Sequence, residues 1–277
     1  MMIFVTKFDG RKQPFLKSKI VKTCLRMHAT YAQAKAVADK IEKEVYDGIP
    51  THKILSMVFA YMKKFKPEIK YQIDLREAIS LLRPKPDFEK FVGLLLESQG
   101  YSIEQNLIIP GKCVEHEIDV VARKGDETVY VEVKHHMNHH TYTGLDVFLE
   151  ANSTFEDLKE GYKERKHNIN FTKALVVCNT KISEHAKTYA DCKGIGYMGW
   201  KFPEQRGLES IIEEKKLYPI TMLKSLDPKV EVRLGDYGIV LLKQIIELKL
   251  EELEKITKLP SNKVKKLLEE TKKILYP

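Results

Sequence analysis

Val114-Glu115-His116-Glu117-Ile118-Asp119-Val120-Val121-Ala122-Arg123-Lys124-Gly125-Asp126-Glu127-Thr128-Val129-Tyr130-Val131-Glu132-Val133-Lys134 reads as two strands joined by a tight turn. Runs rich in Val and Ile flank Gly125-Asp126, and a glycine-containing pair between two such runs is a hairpin signal. With the turn centred on that pair, the register places Asp119 opposite Glu132 and Glu117 opposite Lys134. Side chains alternate along a strand, so these four are expected on one face and Ile118, Val120, Val131 and Val133 on the other. Like charges directly opposed destabilise a ladder. Opposed carboxylates make chemical sense with a divalent cation between them. Spacing alone also fits an exposed hairpin whose charges are simply solvated, and leaves both readings open.

Asp119, followed thirteen residues on by Glu132-Val133-Lys134, resembles the metal-binding signature of the PD-(D/E)xK nuclease superfamily, in its Mrr-like restriction endonuclease branch. Other segments resemble that branch in the same chain order. Asp87-Phe88-Glu89-Lys90-Phe91 through Gly100-Tyr101 is similar to its first helix. There Phe88, Phe91, Val92 and Leu95 keep the i, i+3, i+4, i+7 spacing of one buried stripe. Ala174–Thr180, with a helix starting near Ser183, and Gly194–Trp200 are similar to its later strands. The resemblance covers residues 84–219. It implies an α/β (α+β) fold with a mixed sheet, in the order αβββαβ, closed on one side by a helix over 145–165.

The function so implied is hydrolysis of DNA phosphodiester bonds with Mg²⁺ (or Mn²⁺) as cofactor. Asp119 and Glu132 would hold the metal, with Glu89, which matches the family's helical glutamate, in or near its shell. Lys134 would orient the attacking water or stabilise the pentavalent transition state. Glu117 would position Lys134 or join the metal site. DNA contact would be non-specific or structure-specific, and nothing in the sequence separates DNA from RNA. The competing reading is a non-catalytic nucleotide-sensing protein that only binds nucleic acid.

Upstream, Ile3-Phe4-Val5, a turn at Phe8-Asp9-Gly10 and Phe15 read as a short hairpin. Helical patterns follow over 18–28, 31–47, 51–65 and 69–82, with Thr30 and Thr51 as expected N-caps and Gly48 as a stop. This arrangement resembles the ATP-cone, the regulatory nucleotide-binding domain of ribonucleotide reductases and of their transcriptional repressor. The matching residues are Val5-Thr6-Lys7-Phe8-Asp9-Gly10, Phe15, Lys19-Ile20, Ile49, Thr51 and Tyr71. The resemblance implies that ATP or dATP is an effector, with Val5, Lys7 and Lys19 at the nucleotide and both lysines near its phosphates. Phe8 departs from the pattern, standing where many members carry arginine, and Gln13 stands where some carry an acid. Arg83-Pro84-Lys85-Pro86 reads as a linker, because paired prolines interrupt helices on both sides. The expected domains are 1–83, 84–219 and 220–277.

Charge is distributed unevenly along these segments. Residues 1–83 hold 17 basic and 8 acidic residues, 84–219 hold 18 and 22, and 220–277 hold 12 and 9. Basic ends around an acidic middle suit a cation-binding nuclease flanked by segments drawn to phosphate; a solvated lysine-rich surface has the same composition. No apolar run reaches the length of a membrane span, and no signal-peptide core is evident. Cys24, Cys113, Cys178 and Cys192 stand far apart and read as free thiols of a reducing cytoplasm. A homo-oligomer is compatible with the sequence.

His135-His136-Met137-Asn138-His139-His140 follows the hairpin at once. His136 and His140 have the i, i+4 spacing of a helical metal site, but hard-cation nuclease sites prefer oxygen ligands, so a polar loop near DNA is expected. His116 is expected on the opposite face from Asp119, as a packed or capping residue. Residues 238–275 read as compact helices that resemble a degenerate helix-hairpin-helix. Lys263, Lys265 and Lys266 there are candidate phosphate contacts, and a small packing bundle is an equal reading.

Overall fold

In the computed structural model, which describes residues 2–276, the chain divides into two compact units. One comprises Met1–Ile73, Leu223–Ser225 and Lys265–Pro277, the other Asp74–Met222 and Leu226–Val264. The contact boundary near Ile73 thus precedes the one expected at residue 83, and residues 226–264 group with the middle segment.

In the first unit, β1 (Phe4–Thr6) and β2 (Lys12–Pro14) form the expected hairpin. The helices α1 (Lys17–Arg26) and α2 (Tyr31–Glu44) follow, then β3 (Ile49–Pro50), which pairs parallel to β1, and α3 (Thr51–Met62). Ile20, Cys24, Val37, Ile41, Ile49, Val58 and Met62 form its core. Thr30 caps α2 in a full capping box with Gln33, which satisfies two otherwise orphaned backbone donors. Two expected boundaries move. Pro50, not Thr51, is the N-cap of α3. Gly48 ends no helix; at φ +83° it turns the chain so that its N–H reaches the Phe4 carbonyl at 2.8 Å.

The helix expected over 69–82 is split. A short 3₁₀ turn spans Pro67–Tyr71, and α4 (Leu75–Leu81) starts afresh in the second unit. The cause is Asp74, whose carboxylate accepts from the N–H groups of Arg76 at 3.0 Å and Glu77 at 3.3 Å. This is a side-chain N-cap that fixes a new helix start.

Next come a turn over Pro84–Phe88 and α5 (Glu89–Glu97), then β4 (Ser102–Pro110), β5 (Glu115–Lys124) and β6 (Glu127–Lys134). The chain continues through β7 (Tyr142–Thr143), α6 (Leu145–Lys163), β8 (Lys173–Cys178), β9 (Lys181–Ile182), α7 (Glu184–Lys193) and β10 (Gly196–Met198). Five strands form one mixed sheet in the order β10-β8-β6-β5-β4, antiparallel on the β4–β5–β6 side and parallel on the β6–β8–β10 side. The α/β reading with a mixed sheet and the order αβββαβ therefore describes this unit. Helix α6 covers one face through Phe148, Ala151 and Leu158, packed with Val121, Tyr130 and Val176. The stripe Phe88, Phe91, Val92 and Leu95, which runs from the turn into α5, is fully buried, and α5 lies beside β4 and β5.

In chain order there follow α8 (Leu208–Lys215), α9 (Pro228–Asp236), α10 (Leu242–Glu247), α11 (Leu250–Thr257) and α12 (Ser261–Leu275). Val230, Leu234, Val240, Leu241 and Ile245 are buried, whereas Lys263, Lys265 and Lys266 are exposed.

The linker expected at 83–86 is an anchored turn. Arg83 grips Asp87 with two parallel bonds of 2.7 and 2.8 Å and reaches Asp236 at 2.9 Å. Asp87 is almost wholly buried, and a bidentate guanidinium–carboxylate pair holds geometry as well as charge. A Cβ at Gly235 would collide with this pair, which accounts for the glycine there. The prolines break the helices as expected, but Arg83 then fixes the break in place.

Candidate active site

The hairpin folds in the expected register as far as it remains a hairpin. Val120 pairs with Val131, Val121 with Tyr130, and so on to Lys124 with Glu127. Beyond Val120–Val131 the two strands part. β6 continues along β8 as far as Lys134–Cys178, and β5 continues along β4 to Glu115–Pro110. The expected pairs Asp119–Glu132 and Glu117–Lys134 fall in this fork and are not ladder pairs. The Asp119 carboxylate spans the fork instead, accepting the backbone N–H of Val133 at 2.9 Å.

A second irregularity shapes the same place. On β4, Gln105 pairs with Val120 and Leu107 with Ile118, but Asn106 and Asp119 make no ladder pair. Asn106 has φ +55°, a left-handed conformation that interrupts regular pleating. Ile118 and Val121, three residues apart, consequently join one core cluster. Strict alternation, which grouped Ile118 with Val120 on the face away from Asp119, fails across Asp119.

A cleft of about 430 Å³ opens at the fork. Glu89 from α5, Glu117 and Asp119 from β5, and Glu132 and Lys134 from β6 all line it, together with Glu150 and Thr154 from α6. Glu89 is 2% exposed and Asp119 7%, so both carboxylates are held largely out of water. Burial, then the neighbouring Asp119 charge, push the Glu89 carboxyl up to about 7, against the pull of Lys85. Burial also raises Glu132, opposed by the Tyr130 hydroxyl, which donates to its Oε2 at 2.7 Å.

Lys85, expected only as part of a linker, reaches into the cleft from the anchored turn. Its Nζ lies 3.2 Å from Glu89, 3.0 Å from Glu117 and 3.4 Å from Asp119. Glu117 therefore pairs with Lys85 rather than Lys134, and this is the clearest correction to the expected site. No pattern in the sequence marks Lys85, because a lysine between two prolines carries no periodicity that aims its side chain.

The donor set suits a hard divalent cation, which prefers carboxylate oxygens. One observation points the same way: Glu89 Oε2 is buried without a hydrogen-bond partner, a costly condition that a bound cation would relieve. Among the described residues, no three His, Cys, Asp or Glu side chains are already gathered as a ready metal cage. Lys85 is wedged between three of the carboxylates, and Glu132 is turned onto Tyr130.

The histidines around the cleft have other tasks. His135 donates from Nε2 to the Ile79 carbonyl, 3.1 Å away, and its ring packs on Phe88 at 4.9 Å between centroids. The backbone N–H and C=O of His136 are both clamped by the buried Asn179 amide at 2.8 Å. The His136 ring meets Thr143 at 3.3 Å. His116, expected as a packed residue, does line the cleft but is tied to Asp157 of α6 at 2.8 Å. Burial opposes the Asp157 charge, yet the bonds from His116, Cys113 and Val114 hold its carboxyl down at about 2.

In the first unit, Val5, Lys7 and Lys19 line one cleft of about 200 Å³ with Phe15, Ile20, Thr51, Ile54 and Val58. Phe8, the departure from the ATP-cone pattern, is 67% exposed.

Residues 83–197 match the restriction endonuclease family, and residues 218–275 match the family described as AF1548-like, C-terminal. An uncharacterized protein of Archaeoglobus fulgidus is 39% identical over 181 residues, which is 65% of this chain and 98% of that protein. A crystal structure described as a protein of unknown function, AF1548, superposes with a TM-score of 0.59 at 37% identity, covering 68% of this chain and 96% of that one. Both family matches lie downstream of residue 82.

Proposed function

Because this chain belongs to the AF1548-like family and carries a restriction endonuclease-like domain over residues 83–197, we propose that it is a divalent-metal-dependent endonuclease that hydrolyses phosphodiester bonds of DNA. The observation that carries this reading is the convergence of Glu89, Asp119, Glu132 and Lys134, from three different elements, on one cleft. Glu89, Asp119 and Glu132 would hold a Mg²⁺ or Mn²⁺ ion, which when bound would lower the pKa of a water and neutralise charge on the scissile phosphate. Lys134 would place its ammonium against the attacking water or the phosphate oxygens, where negative charge builds in the transition state. Asp119 has a second task, holding the fork open at a fixed width through Val133 N–H. Tyr130 keeps Glu132 in one rotamer.

The test is incubation of supercoiled plasmid with the full-length protein and Mg²⁺ or Mn²⁺. Nicked and linear products should appear, and excess chelator should stop them. Binding of DNA with no cleavage under either metal would put the non-catalytic sensor in place of the nuclease.

For residues 1–82 the reading is an ATP-cone that binds ATP or dATP, supported by the joint lining of one cleft by Val5, Lys7 and Lys19. Two charge-assisted phosphate contacts are worth about 1.5–3 kcal/mol each. Lys7→Ala combined with Lys19→Ala should therefore weaken nucleotide binding by roughly 10²–10⁴-fold in calorimetry. An unchanged affinity in the double variant would sink this assignment. Regulation of cleavage further requires that nucleotide favour one of two states of the protein, since equal affinity for both shifts nothing. Cleavage rates with and without ATP read that directly.

A further inference from the structure

We propose that Lys85 is a tethered cation that closes the metal-free site, its ammonium seated between Glu89, Glu117 and Asp119 and obliged to leave before a divalent ion is held there. The proposal rests on the metal-site reading given above and adds its regulation. Three carboxylates from two elements converge on one ammonium, at 3.2, 3.0 and 3.4 Å. Two of the three are buried, and two buried like charges left side by side would repel strongly. One positive charge among them offsets that repulsion in the absence of metal.

The neutralisation is incomplete, and this makes Lys85 a placeholder. The ammonium contacts Glu89 Oε1, while Oε2 stays buried and without a partner. A divalent ion brings twice the charge and more coordination positions, so it can displace the lysine by competing for the same oxygens. The turn that carries Lys85 is built for such an exchange. Arg83 and Asp87 pin the backbone on either side, yet the Lys85 side chain is 55% exposed. It can swing into solvent without moving the chain. Once released, it would stand at the mouth of the cleft, where a DNA phosphate would give it a new partner. Lys85 thereby sets the metal concentration at which the site fills.

The experiment is a Mn²⁺ titration of the full-length protein, with free Mn²⁺ read by electron paramagnetic resonance, so that no activity is needed. Lys85→Met keeps the aliphatic stem and removes the charge. It should bind Mn²⁺ more tightly than wild type by on the order of tenfold, the size of an ordinary coupling between two ligands of one site. Lys85→Arg keeps the charge and should stay near the wild-type affinity. Without metal, Lys85→Met should melt below wild type, and Mn²⁺ should close the gap. Equal or weaker Mn²⁺ binding by Lys85→Met overturns the proposal. Asp119→Ala separates the two layers. If it abolishes Mn²⁺ binding while Lys85→Met matches wild type, only the tethered cation fails. If Asp119→Ala binds as wild type does, or no variant binds Mn²⁺, the metal site itself fails and the proposal with it.

Discussion

Asp119→Ala is expected to reduce metal-dependent DNA cleavage by roughly a hundred- to a thousandfold, with the fold retained. The size follows from what one carboxylate does at this position. It would supply ligand charge to the metal, and groups that stabilise transition-state charge in a water-poor cleft are individually worth about 10²–10³ in rate. The same carboxylate accepts the Val133 N–H, so its removal also loosens the fork. That loss is one hydrogen bond to a charged acceptor, about 1.5–3 kcal/mol of stability, offset in part by relief of the repulsion between the buried Asp119 and Glu89 carboxylates. Asp119→Asn separates the effects, because the amide oxygen can still accept from Val133 while the ligand charge is gone. Both variants should melt near wild type and both should be inactive in a plasmid-cleavage assay. Undiminished cleavage by Asp119→Ala would exclude Asp119 from the chemistry.

The second large effect concerns stability. Gly161 lies in the buried face of α6, where a Cβ would meet the backbone of the β4–β5 connection: Gly111 C at 2.8 Å, Pro110 O at 2.9 Å and Lys112 N at 3.0 Å. Backbone atoms cannot rotate away as a side-chain tip can. Overpacking at such a site typically costs about 1–3 kcal/mol, and Gly161→Ala is expected at the upper end. The gain in helix propensity, about 1 kcal/mol, works in the opposite direction and is not sufficient to offset a backbone collision. Thermal or urea unfolding should show a clear loss. A neutral or stabilised Gly161→Ala would mean that α6 and the connection sit further apart than described.

Both predictions draw on features of very different visibility in the sequence. The hairpin was legible because strand runs and a Gly-Asp turn fix a register locally, and the ladder from Val120–Val131 to Lys124–Glu127 follows it. The fork beyond it was not. Past Val120–Val131, β5 stays on β4 and β6 stays on β8, with the left-handed Asn106 at the level of Asp119, and neither outer partner is encoded in the hairpin itself. The helical stripe Phe88, Phe91, Val92 and Leu95 was legible from periodicity and is buried. That stripe also faces Glu89 correctly, since a helix with one face fixed has its other faces fixed as well. The parallel half of the sheet was reached through resemblance, because Ala174–Cys178 is an apolar run whose partner strands no local signal can name.

Lys85 marks the limit of such reading. Prolines on both sides announce a break in helical structure, and a break is ordinarily read as a linker. What turns it into part of the cleft is Arg83 gripping Asp87 and Asp236, the last of these a contact across most of the chain. The turn-centred register likewise predicts Glu117 across from Lys134, and the opening of the fork gives Glu117 to Lys85 instead. Sequence signals placed the acids on their elements. Long-range packing decided which cation they meet.

Anomalous scattering from a crystal of the full-length protein soaked in Mn²⁺ bears most directly on the metal centre. The account predicts a strong peak bounded by the carboxylates of Glu89, Asp119 and Glu132, with the Lys85 ammonium withdrawn from between Glu89 and Asp119. A peak at the His135–His140 loop, or anywhere else with these three carboxylates left empty, would contradict it.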